Sequence, residues 1–306
     1  MKRHVYAKAG AGKYLQYLRT ALPAVVLLLM SVFAALGFLV YKITHPGAVP
    51  ETVNPSHYLL PSLEVAIPSG KGEETAGWWI PGLKGAPGIL LAPGYGMSRS
   101  DALSLAVMLR ENGFNLLVYD QRGCGTCPKG SSTLGLREAG DMLQALEILR
   151  NRSEIDASRV GIWGVDVGAY AALRAAASVP EVRAVVADGA FEFVPDFLDF
   201  KIFEDFGLKG SPIRLGCGWA FTLLHLGDRS LLSEPLPVEL LAGRAVLFIR
   251  GENRKLLGDL TAALSDRFRP RQEMASFKTS RVRLMTGEDL KTYDTQVTDF
   301  FQLNLR

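Results

Sequence analysis

The sequence predicts an α/β protein with a mostly parallel central sheet, helices on both faces of the sheet, and one transmembrane helix before it. Two observations support this fold class. Short apolar runs alternate with helical stretches through most of the 306 residues, which is typical of a parallel sheet buried under helices. Near the start, 22 consecutive residues carry no charge. A helix of that length spans about 33 Å, enough to cross the core of a bilayer.

Composition and charge exclude several classes of protein. With 48% hydrophobic and 21% charged residues, the chain is neither disordered nor fibrous. Its three cysteines are too few for a disulfide-built scaffold. Six of the 34 basic residues lie in the first 42 positions, and the first acidic residue is Glu51. The remainder therefore holds 28 basic against 31 acidic residues, a balance that argues against nucleic-acid binding.

The uncharged stretch, residues 20–41, is predicted to be a signal-anchor. Five basic residues precede it and only Lys42 follows closely, which predicts a cytoplasmic tail (1–19) and an extracytoplasmic body, periplasmic in a bacterium. A cleaved signal peptide is the alternative. Its apolar core would be about 7–15 residues and would end in a small-residue cleavage site, which residues 42–46 do not offer. The bilayer is thus an expected partner through residues 20–41.

The elements after the anchor follow in order. Residues 42–57 are predicted to be a linker and 58–306 the folded domain, with a peripheral β region before residue 76 that is punctuated by prolines. Residues 191–244 form a cap-like insert that is rich in phenylalanine. The predicted strands are 88–92, 116–119, 159–163, 184–187, 245–249 and 282–285. The predicted helices are 101–112, 136–150, 169–177 and 294–303.

The pattern Gly-x-Asp-x-Gly at residues 164–168 lies between a predicted strand and a predicted helix. A sharp turn at that point needs small residues on both sides, because the backbone packs closely around it. The central residue projects from the N-terminus of the helix, where the helix dipole favours an anion. Asp166 is therefore the candidate catalytic residue.

With this turn, the chain resembles the α/β-hydrolase superfamily, particularly its single-domain esterases and serine-aminopeptidase-like members, over roughly residues 58–304. Pro93-Gly94-Tyr95-Gly96 looks like the oxyanion loop of that family, and Tyr119-Asp120-Gln121-Arg122-Gly123 looks like its Asp-x-Arg-Gly turn. The resemblance implies the α/β-hydrolase fold and an oxyanion site at Gly94, Tyr95 and Val167. It implies no cofactor.

The same resemblance implies a catalytic triad of a nucleophile, an acid and a histidine base. In this chain all three positions have changed. Asp166 stands at the nucleophile elbow, Arg254 stands where the acid belongs, and Glu288 stands where the histidine belongs. We therefore expect a catalytically degenerate protein with a vestigial triad.

In another interpretation, Asp166 is a catalytic residue. An aspartate is the elbow nucleophile of haloalkane dehalogenases and epoxide hydrolases, but its ester intermediate must be hydrolysed with the help of a histidine base. Of the four histidines, only His225 in the insert is placed to lean over the site, and Val167 stands where those enzymes usually carry a tryptophan. In the inactive interpretation, Asp166 caps the following helix or pairs with Arg254.

Two further motifs remain open. A metal site built by Asp166, Glu288 and Asp289 would lack any histidine or cysteine ligand, so we expect no metal. Cys124 and Cys127 form a C-x-x-C pair, which outside the cytoplasm either closes a disulfide or stays as two thiols. The pair is predicted to lie in a loop rather than at a helix N-terminus, which argues against redox catalysis.

The leading prediction is a membrane-anchored pseudo-hydrolase that works by binding. Its partner would be a small apolar or peptide ligand in the vestigial pocket, or another membrane protein of which it is an accessory subunit. The aromatic insert 191–244 fits either a lid or a docking surface. The alternative is an active hydrolase of esters or amides that uses Asp166.

Overall fold

The computed structural model describes residues 3–51, 53–70, 72–125, 130–228, 234–280 and 282–306, with backbone alone for residues 3–18 and 20. The strands are β1 Leu63–Pro68, β2 Glu74–Ile80, β3 Ala86–Ala92, β4 Asn115–Tyr119, β5 Ile155–Val165, β6 Val182–Asp188, β7 Ala245–Gly251 and β8 Glu273–Phe277. The helices are α1 Arg3–Thr44, α2 Leu103–Glu111, α3 Leu136–Arg150, α4 Val167–Ser178, α5 Val194–Phe206, α6 Ser211–Leu224, α7 Lys255–Ser265 and α8 Gly287–Leu305.

The eight strands form one sheet in the order β1-β2-β4-β3-β5-β6-β7-β8. Strands β3 to β8 are parallel, and β1 and β2 join the edge beside β4 as antiparallel strands. The predicted mostly parallel sheet is therefore confirmed. Because the carboxyl ends of β3, β5, β6 and β7 meet at one edge, the loops that follow these strands lie close together.

Both faces of the sheet are covered, as the continuous apolar strand sequences predict. Successive side chains of a strand point to opposite faces, so Leu90 of β3 packs in the core beneath α3 and α4, whereas Ile89 and Leu91 pack in the core beneath α2 and α8. The strands are thus held between two helical layers, and this fixes the position of their carboxyl ends.

The prediction of a strand at Val282–Met285 is wrong. Val282–Leu284 forms a single 3₁₀ turn, and the last strand lies earlier in the chain, as β8. Val282 and Met285 are buried while the two residues between them are exposed, which is the spacing of one helical turn rather than of a strand. The sequence of β8, EMASF, is too polar to be recognised as a strand from its apolar content.

Helix α1 is joined to the folded body at its C-terminal end. Residues Ala21–Thr44 form a stretch of 24 residues with a mean hydropathy of 2.6, long and apolar enough to cross a membrane. The helix continues past the predicted end at residue 41, and Val40 and Ile43 are buried in the body. The Tyr95 hydroxyl donates to the Ile43 carbonyl at 2.7 Å, and the Ser132 N–H donates to the Thr44 carbonyl at 2.8 Å. These bonds satisfy carbonyls that a helix end leaves unpaired.

A buried carboxyl group between α8 and α2 predicts a specific pH dependence. Asp294 accepts a hydrogen bond from the Ser104 hydroxyl at 2.6 Å, and its Oδ1 has no partner among the described residues. Burial raises the pKa of Asp294 from 3.8 to about 6, although the Ser104 bond opposes the rise. The folded state therefore favours the protonated form. The protonated carboxyl group therefore contributes to the free energy of unfolding. This contribution is complete below the pKa that Asp294 has in the unfolded chain, and it is lost as the pH rises through about 6.

We therefore expect Asp294→Asn to stabilise the protein at pH 8 by on the order of 1–2 kcal/mol and to have little effect at pH 4. Denaturant unfolding of both proteins at the two pH values measures the difference. A variant that is destabilised more at pH 8 than at pH 4 would show that the ionised carboxylate is the favoured form in the folded state.

Candidate functional site

The backbone of the elbow is strained at Asp166. This residue has φ 49° and ψ −111° at the junction of β5 and α4, and a positive φ is unfavourable for a residue with a side chain. The flanking glycines are required by close contacts: a Cβ on Gly164 would lie 2.4 Å from the Gly168 carbonyl oxygen, and one on Gly168 would lie 2.5 Å from the Ala92 oxygen. The sharp turn that presents a nucleophile is therefore preserved, although an aspartate occupies it.

The carboxylate of Asp166 is buried in an ion pair with Arg254. Nη1 of Arg254 donates to Oδ1 at 2.8 Å and to Oδ2 at 3.0 Å. Arg254 reaches the elbow from the short 3₁₀ turn that follows β7. Asp166 occupies the N-cap position of α4, but its side chain makes no capping hydrogen bond. Of the two inactive arrangements considered for Asp166, the structure contains the ion pair.

A second carboxylate holds Arg254 from the other side. Nε of Arg254 donates to Glu204 of α5 at 2.9 Å. Glu204 also accepts from Lys201 at 2.8 Å, and Lys201 donates to Asp205 at 2.8 Å. Charges therefore alternate from the elbow into α5, and the network fastens this helix of the insert to the carboxyl edge of the sheet.

The network sets the ionisation of its members. Burial raises the pKa of Asp166, and the Arg254 guanidinium opposes that rise. Burial also acts to raise the pKa of Glu204, but Arg254 and Lys201 overcome it and lower the pKa to about 2. Burial alone would lower the pKa of Arg254, yet the two carboxylates raise it overall. Both oxygens of Asp166 accept from Arg254, as those of an ionised carboxylate do.

Another carboxyl group, Asp188, lies at the end of β6 behind the elbow. Its backbone carbonyl accepts from the Asp166 N–H at 2.7 Å, and its side chain accepts from the Tyr293 hydroxyl at 3.0 Å. Tyr293 in turn accepts from the Trp163 indole N–H at 2.9 Å. Burial, followed by the charge of Asp166, raises the pKa of Asp188 well above its usual range. The two carboxyl groups are thus held differently, one by a cation and the other by a phenol.

A cavity of about 680 Å³ includes Asp166 in its wall. Arg254 and three residues of α5 (Lys201, Asp205 and Phe206) form part of the wall, and the end of α1 contributes another part. Its other lining residues are Lys42, His45, Pro46, Tyr95, Gly96, Met97, Val165, Arg283 and Leu284. The cavity therefore combines a charged region at the elbow with apolar side chains, and it lies directly beside the predicted membrane anchor.

The other residues predicted for the site divide into two groups. Gly94 and Tyr95 follow β3, with Tyr95 lining the cavity, and Val167 opens α4 next to Asp166. Their role as an oxyanion site stays a prediction. Glu288 and Asp289 are exposed at the start of α8, and neither lines the cavity. The three carboxylates considered as a metal site therefore do not converge. The misplaced final strand explains the difference: the loop after β8 brings Arg283 and Leu284 to the cavity instead.

The histidines are placed differently from the prediction. His225 follows α6, packs against Phe221 with ring centroids 4.5 Å apart, and does not line the elbow cavity. His45, at the end of α1, does line it. Nδ1 of His45 lies 2.9 Å from the Tyr41 carbonyl oxygen, and its ring stacks on Tyr41. The sequence placed His45 just beyond the membrane segment and gave no sign that α1 folds back against the site.

The predicted cysteine pair is described in part. Cys124 is buried, and its sulfur accepts from the Gly96 N–H at 3.4 Å. Cys127 lies outside the described residues, so the pairing of the two cysteines stays a prediction. Cys124 supports the loop that carries Tyr95.

Sequence reasoning missed several members of the site. Lys201, Glu204 and Asp205 have the three- and four-residue spacings of charge pairs on one helical face, a signal that was present in the insert. Asp188 ends a buried parallel strand, where polar side chains of such sheets collect. Nothing in the sequence indicates that His45 and Arg283 meet at this cavity.

The sheet order and the strand–elbow–helix turn define an α/β-hydrolase fold. The family profile described as alpha/beta hydrolase fold matches residues 87–232. The chain therefore has the fold of the α/β-hydrolases, and the matched region covers slightly less than half of its residues.

Known proteins share part of the sequence or the fold. An uncharacterized protein of Mycobacterium tuberculosis is 32% identical over 142 residues, which cover 43% of this chain and 50% of the relative. An uncharacterized protein of Bacillus subtilis is 24% identical over 241 residues, or 76% of this chain and 78% of the relative. An esterase of Pyrococcus furiosus superposes with a TM-score of 0.63 at 19% identity, over 87% of this chain and 99% of the esterase. The match with the mycobacterial relative thus spans only half of that protein's length, and the likeness to the esterase shows the fold.

The position of Arg254 between two carboxylates predicts unequal costs for breaking the network. Arg254→Met leaves Asp166 and Glu204 without their shared cation and should destabilise the protein by about 3–5 kcal/mol. Asp166→Asn leaves Arg254 paired with Glu204 and should cost less, about 1–2 kcal/mol. Denaturant unfolding in detergent measures both.

Arg271→Met is the matched control, because the ion pair that Arg271 makes among the described residues is an exposed one with Asp266 at 3.8 Å. It should cost less than about 1 kcal/mol. If Arg254→Met lowered the free energy of unfolding by no more than this control does, the ion-pair network would not be what stabilises the elbow.

Proposed function

We propose that this protein is a membrane-anchored, catalytically inactive member of the α/β-hydrolase superfamily that binds a lipid-like amphiphile in the elbow cavity. The observation that carries the proposal is the contact of Arg254 with both oxygens of Asp166. A nucleophilic carboxylate must direct a lone pair at its substrate. At this elbow the guanidinium already occupies both oxygens and stabilises the negative charge that an attack would use up.

The two other residues that the sequence predicted for the triad provide no catalytic base at the elbow. Arg254 occupies the position expected for the acid, and an arginine stays protonated and cannot act as a general base. Glu288 lies on the surface, away from the cavity. Hydrolysis of an acyl intermediate on Asp166 would require a base to activate water, and neither residue provides one.

The shape and lining of the cavity support an amphiphilic ligand. Asp166, Arg254 and Lys201 give it a charged region, whereas Met97, Phe206 and Leu284 are apolar. A molecule with a polar head and an apolar tail matches both parts. Most ligand sites are concave and mostly apolar, with a few placed polar groups.

The environment of α1 supports a retained anchor rather than a cleaved signal. Val40 and Ile43 are buried in the body, and Tyr95 and Ser132 bond to the last carbonyls of the helix. Cleavage near residue 42 would remove part of the core and one wall of the cavity. The basic residues before the span favour a cytoplasmic N-terminus and an extracytoplasmic body.

An active hydrolase is the second candidate, and two specific observations favour it. The strained φ of 49° at Asp166 is of the kind that clusters at active sites. His45 also lines the same cavity and would be the base. In this mechanism the carboxylate attacks the ester carbonyl carbon, the alkoxide leaves and takes a proton from water, and a mixed anhydride with Asp166 forms. Water that His45 deprotonates then attacks the Asp166 carbonyl carbon, which releases the substrate's acid and restores the carboxylate.

Isotope labelling separates the two candidates. Full-length protein in detergent is incubated in H₂¹⁸O with p-nitrophenyl esters of short and long acids, and the peptide that contains Asp166 is analysed by mass spectrometry. We expect no ¹⁸O in that peptide and no ester hydrolysis above that of Asp166→Asn. Incorporation of ¹⁸O into Asp166, lost in His45→Gln, would establish the hydrolase.

Ligand binding is tested with a fluorescent long-chain fatty acid as the probe. Phe206→Asp places a charge on the apolar wall and should weaken binding of the probe at least tenfold. Leu303→Asp on α8, at the opposite edge of the sheet, is the control and should leave binding unchanged. Equal affinities for all three proteins would overturn the proposed binding site.

A further inference from the structure

Helix α6 of the insert packs against the C-terminal part of α1 through small residues. A Cβ on Gly216 would lie 2.4 Å from the Leu36 side chain, and Cys217 and Ala220 are buried on the same side. Gly216 and Ala220 are four residues apart, the spacing with which small residues let helices approach closely in membranes. The two helices therefore form a close pair.

The side of α6 next to this contact is apolar and exposed. Leu215, Trp219 and Leu223 follow one another at four-residue spacing and are 62%, 64% and 50% exposed, and Leu224 and Leu226 extend this surface. Together these five residues form what we call the α6 face. Arg214 is the one charged residue in α6, and it forms an ion pair with Asp199 of α5 at 2.8 Å. Several large apolar side chains exposed close together are unusual on a protein surrounded by water.

The contact with α1 fixes the depth of α6 relative to a bilayer. Residues 21–35 of α1 are exposed, as a membrane-spanning segment requires. The uncharged stretch ends at Tyr41, and Leu36 lies five residues before that end. At the helical rise this separation is about 7.5 Å. Helices that lie in the membrane interface bury their apolar side by about 5–10 Å. Tryptophan is enriched at that level, and Trp219 lies on the α6 face.

We propose that α6 is an interfacial membrane helix whose α6 face lies in the leaflet that surrounds the C-terminal end of α1. The inference rests on the proposed anchoring by α1 and is independent of whether the cavity binds or hydrolyses its ligand. The occupant of the α6 face is the lipid bilayer, because the face continues the exposed apolar surface of α1. The body therefore contacts the membrane through two helices.

The tryptophans offer a direct test. The chain has four; Trp78, Trp79 and Trp163 are no more than 2% exposed, whereas Trp219 is 64% exposed. Full-length protein is reconstituted in phosphatidylcholine vesicles with or without brominated acyl chains, which quench tryptophan emission within the bilayer. We expect quenching of the wild-type protein, its loss in Trp219→Phe, and protection of Trp219 from aqueous iodide.

A relocated tryptophan is the control. Leu303 is exposed near the end of α8, at the opposite edge of the sheet, where the Arg159 side chain bonds to the Leu305 carbonyl. In the double variant Trp219→Phe, Leu303→Trp, iodide should quench the added emission and bromolipids should not. Quenching of Trp219 by iodide alone would overturn the inference. Protection of Trp219 from both quenchers would also overturn it, because protein would then cover the α6 face.

Flotation of the vesicles separates this inference from the anchoring on which it rests. Protein that fails to float with vesicles would overturn both. Protein that floats, but whose Trp219 is not quenched by bromolipids, would overturn only the placement of α6.

Discussion

The elbow depends on one cation. Arg254 lies between Asp166 and Glu204, and it connects the turn after β5, the turn after β7 and helix α5. A buried charge is costly unless it is paired and hydrogen-bonded, so each member of this group requires the others. The same interaction keeps α5 over the sheet and occupies the carboxylate at the position of a nucleophile. Under the proposed function, the ion pair that holds these elements together would also account for the absence of catalysis.

The two carboxyl groups behind the cavity show how the site tolerates buried acids. The charge of Asp166 is balanced by Arg254, whereas Asp188 has a raised pKa and accepts from the Tyr293 hydroxyl. Neither arrangement directs a free carboxylate at a ligand. The close contacts of Gly164 and Gly168 hold the strained elbow backbone in place. They belong to the packing of the sheet and α4, and they do not depend on which side chain occupies the turn.

The sequence predicted the sheet and the elbow because both depend on local patterns. Apolar runs marked the central strands, and α3 was predicted at residues 136–150, as observed. Edge strand β8 was missed because it is polar, and this error put Glu288 in the histidine position. Pairing of Asp166 with Arg254 was one open alternative. Glu204 and His45 reach the site because the insert and α1 pack against the rest of the protein. No local sequence pattern predicts that packing.

The hydrogen bonds from Tyr95 and Ser132 to the last carbonyls of α1 have a consequence for how the cavity meets its ligands. They fix the cavity at one height relative to the span, since α1 and the body meet without a flexible tether. With α1 in a bilayer, the cavity samples only a thin layer of solvent and lipid headgroups. Under the proposed function, encounter with an amphiphile would be a two-dimensional search, and the ligand's concentration in the membrane, rather than its solubility in water, would govern occupancy.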